Sequence, residues 1–189
     1  MKSTLSNNDK TLLLFLIKIA SLYLFWYVCY EFYLKTDGRL DQIITRNISE
    51  GIIHLMQFTG LDFYYTNARK IGETYLFIAG QLKPLVRIGS SCNGLEPIIL
   101  FAIFIIAYPG KLTHKLWFIP AGVIVIHLVN IIRNYVLTLM VYYKMPSFDF
   151  FHRYVFVILV YLLIFGFWML WVNKFSLKGL KSNDDNREK

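Results

Sequence analysis

Tyr154–Val172 is a run of nineteen residues without one charged side chain. As a helix it is about 29 Å long at 1.5 Å per residue, close to the thickness of a bilayer's hydrocarbon core. A run that is apolar on every side has no face to turn to water, and inside lipid only a helix satisfies its own backbone. Three other stretches have the same character: 12–34, 95–109 and 116–143. Lys18 interrupts the first but lies near enough to one end to snorkel. That run is too long for a signal peptide and no small-x-small cleavage site follows it, so it reads as a retained span. Composition agrees, with 56% hydrophobic, 17% aromatic and only 17% charged residues, where soluble domains carry about a quarter charged. The expected fold class is an all-α polytopic membrane protein of about four transmembrane helices, 1–189 forming a single membrane domain without internal repeats.

The segment 35–94 is different. From Arg39 to Leu61, Ile44, Ile48, Ile52, Leu55 and Thr59 recur at spacings of four, four, three and four. This predicts an amphipathic helix, too polar to span, lying in the interface or packed on the spanning helices. Phe63–Thr66, Thr74–Ile78 and Leu85–Ile88 are short β-favouring runs separated by Asn, Gly and Pro, predicting a small hairpin-like sheet. With four spans both termini share a side with the connector 110–115. Together these three segments hold nine Lys/Arg, which the positive-inside rule puts in the cytoplasm. Residues 35–94 and 144–153 then face outward. The formal charge of +8 sits mostly in tails and loops, so topology accounts for it and nucleic-acid binding does not.

Three reactive side chains approach one level in that topology. Cys92 lies in Gly89-Ser90-Ser91-Cys92-Asn93-Gly94-Leu95-Glu96-Pro97, at the head of the second run, where small residues allow close approach and Pro97 suits a first helical turn. The free N–H groups of a helix N-terminus favour a thiolate, although a cap built around a packed thiol reads much the same. Arg133 lies inside the third run, about ten residues or roughly 15 Å from its outer end. Burying it at mid-bilayer costs at least about 2.5–3.5 kcal/mol, so a partner or a function is its default. Asn130 lies one turn before it and Asn134 directly after it, and His127 continues the stripe inward, too deep to meet Cys92. His152, beside Arg153, opens the fourth run.

Such a set suits acyl transfer: Cys92 as nucleophile, His152 as proton carrier, Arg133 as oxyanion or substrate holder. Taken singly, Cys92 reads as a packing residue or as a partner for Cys29, and His152 as an interface aromatic. His54 and His114 read as surface residues, and Trp168 and Trp171 as an interface belt. HExxH, GxSxG and GxGxxG are absent, and the two cysteines lack metal-ligand spacing, so no metal or nucleotide cofactor is expected.

Cys-x-Gly at the head of a span, Asn-x-x-Arg in the next and His at the start of the one after resemble, in that order, the exosortase/archaeosortase family. The likeness covers about residues 80–160. It implies a multi-pass membrane cysteine transpeptidase or protease that processes C-terminal sorting signals, each a short motif, a transmembrane helix and a basic tail. It carries the catalytic roles onto Cys92, Arg133 and His152, with Asn93, Gly94, Asn130, Asn134 and Arg153 as supporting or substrate-contacting residues. Asn93 departs from the Ser, Thr or Ala usual between Cys and Gly. The short chain looks like the compact forms of the Bacteroidetes type. The resemblance also implies the bacterial cytoplasmic membrane, an outward-facing site, and a substrate's transmembrane sorting signal and membrane lipid as partners. The rival from another class is a non-catalytic assembly or scaffold protein of an envelope-export system, for which Cys92 is dispensable. A small transporter using Arg133 as an anion site is a third.

Overall fold

The computed structural model describes residues 7–68 and 71–176. Lys2, Lys178, Lys181, Arg187 and Lys189 of the two basic tails lie outside them. The first helix, α1 (Asn7–Cys29), continues through a π-helical stretch, Tyr30–Leu34, into Lys35–Asp37. It is apolar all round, and none of its most hydrophobic eighteen residues is buried in protein, as expected of a helix solvated by lipid. It leans on the body through Phe15, whose ring meets Phe104 and Tyr108 edge-on at 5.7 and 5.4 Å. Gly38 ends the rod with φ +68, and a Cβ there would come within 2.6 Å of Ile71.

The amphipathic helix, α2 (Arg39–Phe58), packs rather than floating in the interface. Ile48, Ile52 and Met56 form a core with Phe63, Leu76 and Ile88 of the sheet, closed by Ile131, Tyr135, Leu139 and Tyr142 of the long helix below. Its buried face is shifted from the expected apolar stripe: Asp41, Thr45 and Ser49 are buried beside Ile48, Ile52 and Met56, while Ile44 and Leu55 are only half-buried. The β-favouring runs form a three-stranded antiparallel meander, β1 (Phe63–Asn67), β2 (Thr74–Ile78) and β3 (Val86–Ile88), in the order β1-β2-β3. Phe63 faces Ile78 and Thr74 faces Ile88, so the inward side chains form one layer over α2. On the other face Tyr64 stacks on Phe77 at 5.1 Å, a cross-strand pair.

Three more helices follow among the described residues: α3 (Leu95–Ala107), α4 (Leu112–Tyr142) and α5 (Phe148–Phe175). Phe101, Ile105, Phe118, Ile126, Val160, Ile164 and Trp171 form their shared core. Gly122 permits the closest crossing, with Phe101 seated where a Cβ would be. Lys115 Nζ donates to the carbonyls of Ile106 and Tyr108, both at 2.8 Å, closing the C-terminal end of α3. At 31 residues α4 is about 46 Å long, longer than the hydrocarbon core. Its first part packs among helices, and from Ile131 onward it packs against the sheet core.

Some sequence expectations change. Among the described residues three helices are long and apolar enough to cross a membrane, Lys10–Asp37, Leu112–Tyr142 and Phe148–Phe175, while α3 at 13 residues is shorter. Trp171 is fully buried against Phe118 and Phe175 instead of lying in a belt, because the chain reversal at Gly110 folds back over it. His114 is half-buried, its ring edge-on to Phe175 at 5.6 Å. Cys29 and Cys92 are both free thiols.

Candidate active site

Strand β3 leads through Gly89 into one 3₁₀ turn, Ser90–Cys92, and then through Asn93 and Gly94 into α3. Cys92 therefore sits at the head of a helix, as its sequence context predicts. Gly94 makes the geometry possible in two ways. Its φ is +77, and a Cβ there would lie 2.8 Å from Asn130 Nδ2 and 3.0 Å from Asn130 Cγ. The glycine lets the chain turn in the left-handed region while α4 presses against it.

Two asparagines of α4 use that approach. Asn130 Nδ2 and Asn134 Nδ2 both donate to the Cys92 carbonyl, at 3.1 and 3.2 Å. Asn134 Nδ2 also donates to the Asn130 carbonyl at 2.8 Å. The polar stripe expected on α4 is thus shielded from lipid by the cysteine loop, whose backbone it holds. His127, further along the stripe, lies 3.4 Å from Asn47 Oδ1 of α2 and away from the loop.

His152 comes from the start of α5, in a π-helical stretch, Phe151–Val155. Such wide turns are rare and frequent at functional sites. Its ring stacks on Phe148 at 5.5 Å with an interplanar angle of 5°, and its Nε2 lies 3.8 Å from Cys92 Sγ. Arg133 is close enough to interact electrostatically with both Cys92 and His152. Its Nε is buried and has no hydrogen-bond partner among the described residues. A buried, unpaired donor on a charged group is costly. Arg153 is exposed. The structure therefore brings Cys92 of the loop, Asn130, Arg133 and Asn134 of α4 and His152 of α5 toward one place.

Sequence reasoning missed what holds Asn93. This residue is fully buried, its Oδ1 accepts the Leu95 N–H at 2.9 Å, and its Nδ2 donates to Asp41 Oδ1 at 2.6 Å. Asp41 Oδ2 accepts the Tyr30 hydroxyl at 2.9 Å. The available signal was the spacing of Asp41, Thr45 and Ser49, a polar stripe four residues apart on α2. Ser49 and Thr74 continue that network with their hydroxyls 2.7 Å apart. Beside the loop a cavity of about 260 Å³ opens toward α1, with Ser90, Ser91 and Glu96 on one wall and Trp26 and Tyr30 on the other.

Over residues 5–175 the chain matches the family described as transmembrane exosortase (Exosortase_EpsH). No curated protein and no solved structure matches it. The match spans the three membrane-length helices, the sheet and the cysteine loop. Because that match covers most of its length, the chain belongs to the transmembrane exosortase family.

Proposed function

We propose that the protein is a membrane cysteine transpeptidase or protease that cleaves the C-terminal sorting signals of exported, membrane-tethered proteins. The observation that carries this reading is the 3.8 Å approach of Cys92 Sγ to His152 Nε2 across 60 residues of sequence. Thiol and imidazole at that separation form a nucleophile–base pair, given the looser contacts usual without substrate. His152 Nε2 takes the thiol proton, and the sulfur adds to the carbonyl carbon of the scissile peptide. The carbonyl electron pair moves onto oxygen, where the Arg133 guanidinium supplies donors. Collapse of the intermediate breaks the C–N bond, His152 returns its proton to the leaving amine, and a thioester remains on Cys92. An amine or water then attacks the thioester, loses its proton to His152, and Cys92 regains its thiol.

In this reading the cytoplasmic membrane holds the chain with both termini inside and α3 as a fourth, short span. Thirteen residues give about 20 Å of helix against a core of about 30 Å. The shortfall is tolerable because α1, α4 and α5 all pack on α3, and non-helical backbone is accepted at membrane depth where protein covers it. The site then faces outward near the lipid surface, where a tethered substrate's cleavage junction emerges.

Iodoacetamide tests the pair. Cys92 should react faster than Cys29, and His152→Ala should remove the difference. Cys92→Ser and Cys92→Ala should both abolish processing of a sorting-signal reporter while Cys29→Ala processes normally. A Cys92→Ser protein that still processed would exclude thiol chemistry.

A further inference from the structure

We infer that Asp41 is a positioning residue for Cys92, acting through Asn93. This rests on the proposed thiol chemistry but concerns Asp41, to which that chemistry gives no part. Asp41 is a carboxylate only 2% exposed, on a helix that contributes no side chain to the proposed reaction. Its two oxygens accept from two different elements, Oδ1 from Asn93 Nδ2 at 2.6 Å and Oδ2 from the Tyr30 hydroxyl of α1 at 2.9 Å. The backbone around it is fixed as well: Thr45 Oγ1 donates to the Asp41 carbonyl, and a Cβ on Gly72 would lie 3.1 Å from Asp41 Cβ. The carboxylate therefore has little freedom to follow Asn93 if the loop moves.

Asn93 completes the connection. Its other amide atom, Oδ1, accepts the Leu95 N–H at 2.9 Å, so one side chain ties Asp41 to the first turn of α3. Cys92 is thus held on both sides of its C-terminal peptide. Asn130 and Asn134 of α4 grip its carbonyl, and Asp41 of α2 grips the next side chain. A small side chain at position 93 could not reach Asp41, so the amide and the buried carboxylate belong together. The work assigned to the pair is to keep the thiol at the distance from which His152 reaches it. Charge-assisted hydrogen bonds of this kind are short and roughly twice as strong as neutral ones.

The experiment uses the full-length protein in detergent with Cys29→Ala, and follows alkylation of Cys92 by iodoacetamide. Asp41→Asn should slow the reaction about tenfold, the scale of one lost hydrogen bond to a charged group. A general loss of structure would slow it in any background. Positioning against His152 predicts instead that Asp41→Asn costs little once His152→Ala is present, so that the two losses are not additive. The exchange Asp41→Asn with Asn93→Asp should recover most of the rate. The amide then donates from position 41 to the carboxylate at 93, which still accepts the Leu95 N–H, while the amide oxygen accepts from Tyr30. An unchanged rate in Asp41→Asn, or additive losses with His152→Ala, overturns the inference. If Asp41→Asn does not accumulate, the exchanged pair decides: recovery supports the inference and failure to recover overturns it. A Cys92 no faster than an ordinary thiol, and indifferent to His152→Ala, would sink the proposed chemistry itself, an outcome distinct from these.

Discussion

Replacing Gly94 by alanine separates two constraints that meet at one atom. The residue has φ +77, and the added methyl would lie 2.8 Å from Asn130 Nδ2. A left-handed alanine costs about 1–2 kcal/mol relative to glycine. Asn130, only 2% exposed, must then withdraw its amide from the Cys92 carbonyl, a further loss of about 0.5–1.5 kcal/mol for one hydrogen bond. Together the substitution should destabilise the fold by about 1.5–3.5 kcal/mol. Gly60 is the internal control, since it has the same φ of +77 with nothing within 4 Å of the added methyl. Gly60→Ala should therefore cost only the conformational part, about 1–2 kcal/mol. The assay is denaturant unfolding in detergent by tryptophan fluorescence, with iodoacetamide reactivity of Cys92 measured on the same preparations. Gly94→Ala should be the less stable variant and should also slow alkylation, because one of two clamps on the loop is displaced. Equal stability for the two alanines, with unchanged Cys92 reactivity, would refute the claim that Asn130 pressing on Gly94 shapes the site.

Arg133→Lys keeps the charge but loses the planar fork of donors, so reporter processing should fall by about 2.7–4 kcal/mol in barrier while Cys92 alkylation stays near wild type; full processing would leave Arg133 a structural charge. In a Cys29→Ala background a membrane-impermeant maleimide should label Cys92 from outside, whereas a cysteine placed at Thr113 should react only after the inner membrane is broken; the reverse pattern would end the proposed orientation. Gly122→Ala puts a methyl into the Phe101 ring and should cost about 1–3 kcal/mol of stability as overpacking, read in the same unfolding assay; a neutral result would mean the α3–α4 crossing is looser than the structure has it. Glu50 is held below its ordinary value of 4.5 first by the Tyr65 hydroxyl and then by Arg46. Its contribution is therefore complete above that value and lost as pH falls through the lowered one, so the stability gap between wild type and Glu50→Gln should close on acidification; a constant gap would remove Glu50 from the account.

Much of the architecture is local and therefore legible in the chain. The helices of 7–37, 112–142 and 148–175 follow from apolar runs that only a helix can carry through lipid. The three strands follow from β-branched and aromatic runs cut by Gly, Asn and Pro. The order of Cys92, Arg133 and His152 along those elements was legible too, because topology brings successive helix ends to one level. Ile48 and Ile52 of the expected stripe on α2 are buried, but the burial of Asp41, Thr45 and Ser49 beside them was not legible, because a polar stripe can be buried only once its hydrogen-bond partners are in place. Trp171 was assigned to a belt for the same kind of reason: hydropathy does not distinguish lipid from a protein neighbour.

What the sequence by itself determined is the set of segments, since long apolar runs mark the spanning helices and periods of two or of about 3.6 residues mark the strands and the amphipathic helix. The site depends instead on contacts between residues 38, 42, 52 and 60 positions apart, those of Cys92 with Asn130, Asn134 and His152 and of Asp41 with Asn93. No periodic pattern records such pairs. Tertiary structure alone decided them, because each contact exists only where packing of α2, α4 and α5 around one short loop brings its two partners together.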